Sequence, residues 1–181
     1  LIGLAIGFAV RLVFSALENG GNSIAMLMGL GFAEMMDPQS GVEVPMISQF
    51  FTILAGLLFV SMDGHLVLIQ VMAQSFHTLP VAVEGLSRGG MWQLIAWASW
   101  IFTGAVLIAL PAIAALLIVN IAFGVMTRAA PQLNIFAVGF PISLLLGFVI
   151  LVVTLPTMVP KFSNLLSGSF QLIGAITGAG G

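Results

Sequence analysis

Two uncharged runs dominate this chain. Gly89 to Thr127 is 39 residues without a charge, and Ala129 to Pro160 is another 32, with Arg128 alone between them. A water-facing domain carries about 25% charged residues, so runs of this length do not coat a soluble surface. They form apolar helices solvated by lipid, by other apolar subunits, or by both. Pro131 lacks a backbone donor and disfavours helix at Ala130, so the chain turns in Arg128 to Asn134. Arg128, Gln132 and Asn134 supply donors and acceptors there. One reading of this tip is a polar hairpin turn at the water interface.

Composition narrows the class. The 181 residues are 60% hydrophobic and 6% charged, with four basic and six acidic side chains and a net charge of −2. Nucleic acid binding requires a clustered basic face, and this chain has none to offer. There is no cysteine, which excludes disulfides and thiolate metal sites. Leu1 lies inside an apolar run, without an initiator Met or a basic leader. This predicts that the sequence is a fragment of a longer chain.

In chain order, Leu1 to Leu17 is apolar except for Arg11 and Ser15, and is marginal in length for a membrane span. Arg11 is expected to snorkel or to pair within an assembly. Glu18-Asn-Gly-Gly-Asn-Ser23 reads as a poor helix interior. Asp37-Pro38-Gln39-Ser40-Gly41 reads as a turn. Between them, Ile24 to Met36 holds Met26, Met28, Met35 and Met36, with Phe32 and two glycines. This 13-residue piece is too short to span and predicts a re-entrant or interfacial loop, which survives at membrane depth only within protein or a water-filled cavity. Val44 to Met62 is a span candidate with Pro45 suited to a helix start. Gly64 to Val83 is a second, more polar arm. Trp92, Trp97 and Trp100 open the next helix as an interfacial belt. The run to Thr127 exceeds one straight span and predicts a kink or break at Pro111. Ile135 to Val159 forms another arm. Lys161 to Gly181 reads as a weaker tail, a short helix followed by disorder over 174–181.

Chemistry-bearing patterns are sparse. There is no G-x-S-x-G, H-E-x-x-H or P-loop. His65 and His77 are twelve apart and do not share a face as i, i+4 ligands would, so no metal site is predicted. Asp63 and His65 could pair across Gly64, but a helix-breaking polar turn is the simpler reading. Glu84 and Arg88 read as a solvated loop pair. Glu34 is a costly carboxylate in an apolar stretch, or marks where that stretch meets water. No cofactor is predicted.

Three segments, taken in order, resemble the FliR/SctT family, the R subunit of flagellar and virulence type III export gates. The first is Met28-Gly29-Leu30-Gly31-Phe32-Ala33 running into Asp37-Pro38 and Gly41. The second is Asp63-Gly64-His65 with Leu68-Ile69, leading to Ser75-Phe76-His77-Thr78-Leu79-Pro80. The third is Arg128, Ala130-Pro131-Gln132, Asn134, Phe136 and Gly139-Phe140-Pro141.

The resemblance implies a single all-α membrane domain over 1–181, built of helical hairpins with Pro-kinked helices, within a helical hetero-oligomer. FliP and FliQ would be its neighbours and FlhB/FlhA-type components its partners. The assembly would pass unfolded flagellar or effector proteins across the bacterial inner membrane at the base of the flagellar basal body, and this subunit would not be an enzyme. Residues 22–41 would match the gate or plug loop, with Met26, Met28, Phe32, Met35 and Met36 closing the pore and Asp37, Pro38 and Gly41 anchoring the far end. Unbranched, soft methionine side chains suit a closure around cargo of varied shape. Arg128, Pro131, Gln132 and Asn134 would be assembly contacts. The competing expectations are a small-solute carrier with broken helices, and a structural scaffold without a gate. The carrier reading lacks the inverted repeat that its class shows.

Overall fold

The computed structural model describes residues 2–30, 46–78, 87–129 and 135–178. Among them the chain is all-α, as six helices: α1 (Ile2–Leu27), α2 (Met46–Ser61), α3 (Gly64–Thr78), α4 (Arg88–Trp97), α5 (Trp100–Ala129) and α6 (Ile135–Thr177). Ile2–Leu27, Arg88–Ala129 and Gly139–Thr177 are each long and apolar enough to cross a membrane. The α2–α3 pair would make a fourth crossing, bent by 68°.

α1 is the hub. It packs against α5, α2 and α6, and more lightly against α3 and α4. The Glu18–Ser23 stretch, expected to interrupt helix, lies inside α1 instead. Local propensity disfavours glycine in a helix by about 1 kcal/mol, but close helix approach outweighs it here. A Cβ on Gly20 would lie 3.2 Å from the Ala105 carbonyl oxygen of α5. A Cβ on Gly21 would lie 2.6 Å from the Phe51 ring and 3.0 Å from the Ser48 Cα of α2. Gly104 of α5 meets Ala16 of α1 in the same way. Small residues on both sides bring the backbones together. Leu17, Ile24, Phe51, Ile108, Leu116, Met158 and Phe162 fill the core around them.

The Asp63 turn follows the expected helix break. Asp63 has φ 57, and its carbonyl accepts from the amides of Leu66 and Val67 to start α3. Gly64 is required next, because a Cβ there would lie 2.6 Å from the Phe59 ring. Ser87 caps α4, accepting from the Gly90 amide at 3.0 Å.

Two expectations need correction, the first only as to where the run breaks. The tryptophan-led run breaks at Ala98–Ser99, between α4 and α5, while α5 is uninterrupted through Pro111. Proline removes the hydrogen bond to residue i−4, here the Leu107 carbonyl. That carbonyl accepts from Lys161 Nζ of α6 instead. The tail beyond Pro160 is not a separate short helix. α6 runs for 43 residues through Pro141, Pro156 and Pro160 to Thr177. Phe162, Leu166, Ser169, Ile173 and Thr177 are buried in succession, one helical stripe that holds the C-terminal half on the bundle. Residues 174–177 are therefore helical, and 179–181 lie outside the described residues.

Candidate functional site

The Met-rich segment grows directly out of α1. Its first residues, 22 to 27, complete that helix rather than begin a loop. The helix then closes on a left-handed glycine. Gly29 has φ +84, its amide donates to Met26 O at 3.1 Å, and the Leu30 amide donates to Ala25 O at 3.1 Å. This crossed pair is a Schellman motif, and its left-handed position favours glycine. The Leu27 carbonyl is left over, and Asn120 Nδ2 of α5 donates to it at 3.3 Å.

The first two methionines of the expected gate face different surroundings. Met26 is 64% exposed, whereas Met28 is fully buried in the chain's own core. Met28 fills the space above Gly147 of α6, where a Cβ would lie 2.7 Å from its Cγ and Cε. The Phe140 ring lies over Gly29, 3.3 Å from where a Cβ would stand. Phe32, Met35, Met36, Asp37, Pro38 and Gly41 lie outside the described residues, as do Pro131, Gln132 and Asn134. Arg128 is exposed in the last turn of α5, where a cation also complements the helix dipole.

Sequence reasoning missed Asn120 and Lys161. The signal for Asn120 was available. It is a carboxamide in the interior of the 39-residue uncharged run, where a polar group needs a partner. The Lys161 signal was weaker, because its acceptor is created by a proline 50 positions earlier.

Catalytic chemistry has little to stand on among the described residues. No three His, Asp or Glu side chains group as metal ligands. Asp63 and His65 do not pair, and His65 Nδ1 is buried without a hydrogen-bond partner. Arg11 pairs with Glu18 at 3.4 Å along the exposed side of α1. An open groove of about 610 Å³ lies between the start of α1 and α4, lined by Gly3, Leu4, Gly7, Phe8, Met91 and Leu94 with Arg11 at its edge.

Residues 1–169 match the model of the bacterial export proteins, family 1. The flagellar biosynthetic protein FliR of Escherichia coli (strain K12) is 39% identical over 176 residues, covering 97% of this chain and 67% of the relative. The FliR of Pectobacterium carotovorum subsp. carotovorum is 40% identical over the same shares. That of Aquifex aeolicus (strain VF5) is 34% identical over 95% of this chain and 66% of its own length. The chain thus spans about two thirds of these relatives. With its apolar helices and its match along nearly the whole length, the chain belongs to family 1 of the bacterial export proteins, the family of the flagellar biosynthetic protein FliR.

Proposed function

We propose that this chain is a subunit of the flagellar protein-export gate in the bacterial inner membrane, that unfolded proteins are its cargo, and that it performs no reaction of its own. FliP- and FliQ-type helical subunits surround it, with FlhB/FlhA-type components beyond. The observation that carries this reading is α6. Its 43 residues would extend about 65 Å, twice the thickness of a hydrocarbon core. In its most apolar stretch 22% of residues are buried by the rest of the chain, against 44% for α1. A helix so long and so uncovered suits a packed neighbourhood of other apolar helices better than a lone crossing. The flagellar system is favoured over a virulence system because the FliR relatives are flagellar biosynthetic proteins.

Within that assembly, the Met-rich segment is the gate. Met26, Phe32, Met35 and Met36 are its closing side chains, Met28 is its fixed foot, and Asp37, Pro38 and Gly41 hold its far end. A dry apolar constriction stops ions by dewetting, and soft methionines yield to a passing chain. Arg128, Pro131, Gln132 and Asn134 contact neighbouring subunits. The test is the mass of the intact detergent-extracted complex. Copurification with two small helical membrane proteins supports the export gate. A chain that purifies alone and carries a small solute across a bilayer contradicts it.

A further inference from the structure

We propose that the outer face of α1 from Arg11 to Ser23 is a water-wetted track along which an unfolded polypeptide passes. The proposal deepens the export reading above and rests on it. All the polar side chains of α1, Arg11, Ser15, Glu18, Asn19, Asn22 and Ser23, lie on that face, and none of them is buried. The residues that α1 does bury are apolar or glycine. The spacing of 11, 15, 18 and 22, with 19 and 23 beside them, makes one helical stripe. It rises about 18 Å through the middle of a helix long and apolar enough to cross a membrane.

Other outward faces are of a different kind. Val106, Ile118 and Ile121 of α5 and Leu145, Val149 and Val152 of α6 are exposed, and suit lipid or apolar neighbours. Charged and amide groups on a membrane helix face a bundle interior or water, because hydrocarbon offers them no partners. Among the described residues, the polar groups of this stripe bond only along α1. Arg11 reaches Glu18 at 3.4 Å, Asn19 Nδ2 donates to Ser15 O at 2.8 Å, and Ser23 Oγ donates to Asn19 O at 2.9 Å. These contacts use a small part of what a guanidinium, a carboxylate and two amides can bond, and water meets the rest. Exposed polar side chains return on α6 beyond Pro156, at Thr157, Asn164, Ser167 and Gln171. That helix is far longer than a hydrocarbon core is thick, so its second half need not lie at membrane depth.

The chemistry of the stripe suits a passing chain. An unfolded polypeptide offers an N–H and a C=O at almost every residue. Short amides and hydroxyls exchange hydrogen bonds between these groups and water at little net gain, so cargo is not held. Arg11 and Glu18 offset each other's charge, so cargo of either sign meets little net field. The stripe leads to Met26, one turn beyond Asn22 and 64% exposed, the first side chain of the proposed gate.

The chain has no cysteine, so introduced thiols report on single positions. Asn19→Cys and Ser23→Cys test the stripe, and Ile118→Cys and Val152→Cys test the apolar faces. The probe is a charged, membrane-impermeant maleimide, present on both sides of phospholipid vesicles that hold the assembled complex. The stripe variants should react about tenfold faster than the apolar-face variants or more, since the attacking thiolate needs water to form. An exported protein fused to a folded domain, stalled in transit, should slow them severalfold. If Asn19→Cys does not assemble, Ser15→Cys, close to the parent in size, takes its place. Rates equal to those of Ile118→Cys and Val152→Cys overturn the proposal, because the stripe then faces hydrocarbon. Slow reaction in the complex with fast reaction in the separately purified chain also overturns it, because the stripe is then a contact between subunits. Fast reaction that stalled cargo does not slow overturns it while the export reading stands. Failure of the export reading shows separately, as a chain that purifies without helical partners, and carries the proposal down with it.

Discussion

Lys161 of α6 donates to the main-chain carbonyl of Leu107 in α5, the acceptor that Pro111 leaves without its amide. A proline in a helix removes one hydrogen bond and pushes the i−4 carbonyl outward. In an apolar surrounding there is no water to replace the donor. The lysine both satisfies that carbonyl and stitches α5 to α6, and its own charge gains an acceptor on an otherwise uncharged face.

Lys161→Met should therefore destabilise the chain by about 1 kcal/mol, the net worth of a hydrogen bond whose carbonyl finds no other donor in an apolar surrounding. Pro111→Ala restores the amide to Leu107. In the double variant the loss caused by Lys161→Met should largely vanish. Unfolding in detergent across this double-mutant cycle measures the coupling. Strictly additive effects would show that the two residues do not act on the same carbonyl.

The Gly21 contact gives a second outcome. Gly21→Ala places a methyl 2.6 Å from the Phe51 ring and 3.0 Å from the α2 backbone. Overpacking of this kind costs about 1–3 kcal/mol, and Phe51→Leu in the same chain should recover part of it. Gly56→Ala is the control, since nothing lies within 4 Å of its Cβ position. It should be neutral or stabilise α2 by up to about 1 kcal/mol. Thermal inactivation of the three variants separates these outcomes.

Arg128→Ala should lower recovery of the assembled complex, with Arg128→Lys intermediate because lysine keeps the charge but not the planar fork. Copurification yield at matched expression measures this. Yield and export equal to the parent in Arg128→Ala would show that the exposed end of α5 is not an assembly contact.

The helical class and the chain's main division were legible in the residues. Asp63-Gly64 marked a break, and the 68° bend is there. What misled was local chemistry whose meaning is set by distant partners. Gly20-Gly21 read as a helix interruption because propensity is local, while Ala105 and Ser48, which those glycines approach, are remote in sequence. Pro160-Lys161 read as the end of an arm because proline ends most helices. The stripe of Phe162, Leu166, Ser169, Ile173 and Thr177 was present in the sequence and signalled continuation. For the Met-rich segment proposed as the gate, its methionines and turn residues were readable as a pattern. That Met28 is a buried foot and Met26 an exposed side chain depends on the single left-handed residue Gly29 and on Gly147 of α6.

The most direct test of the gate is ion leak through the assembled complex. The measurement compares the parent with Met26→Ser/Met35→Ser/Met36→Ser, leaving Met28 in its core position. A constriction closed by these side chains becomes wetter when they turn polar, so leak across the bilayer should rise while the complex keeps its mass and subunits. A triple variant that assembles normally and stays as tight as the parent would contradict a gate at this segment.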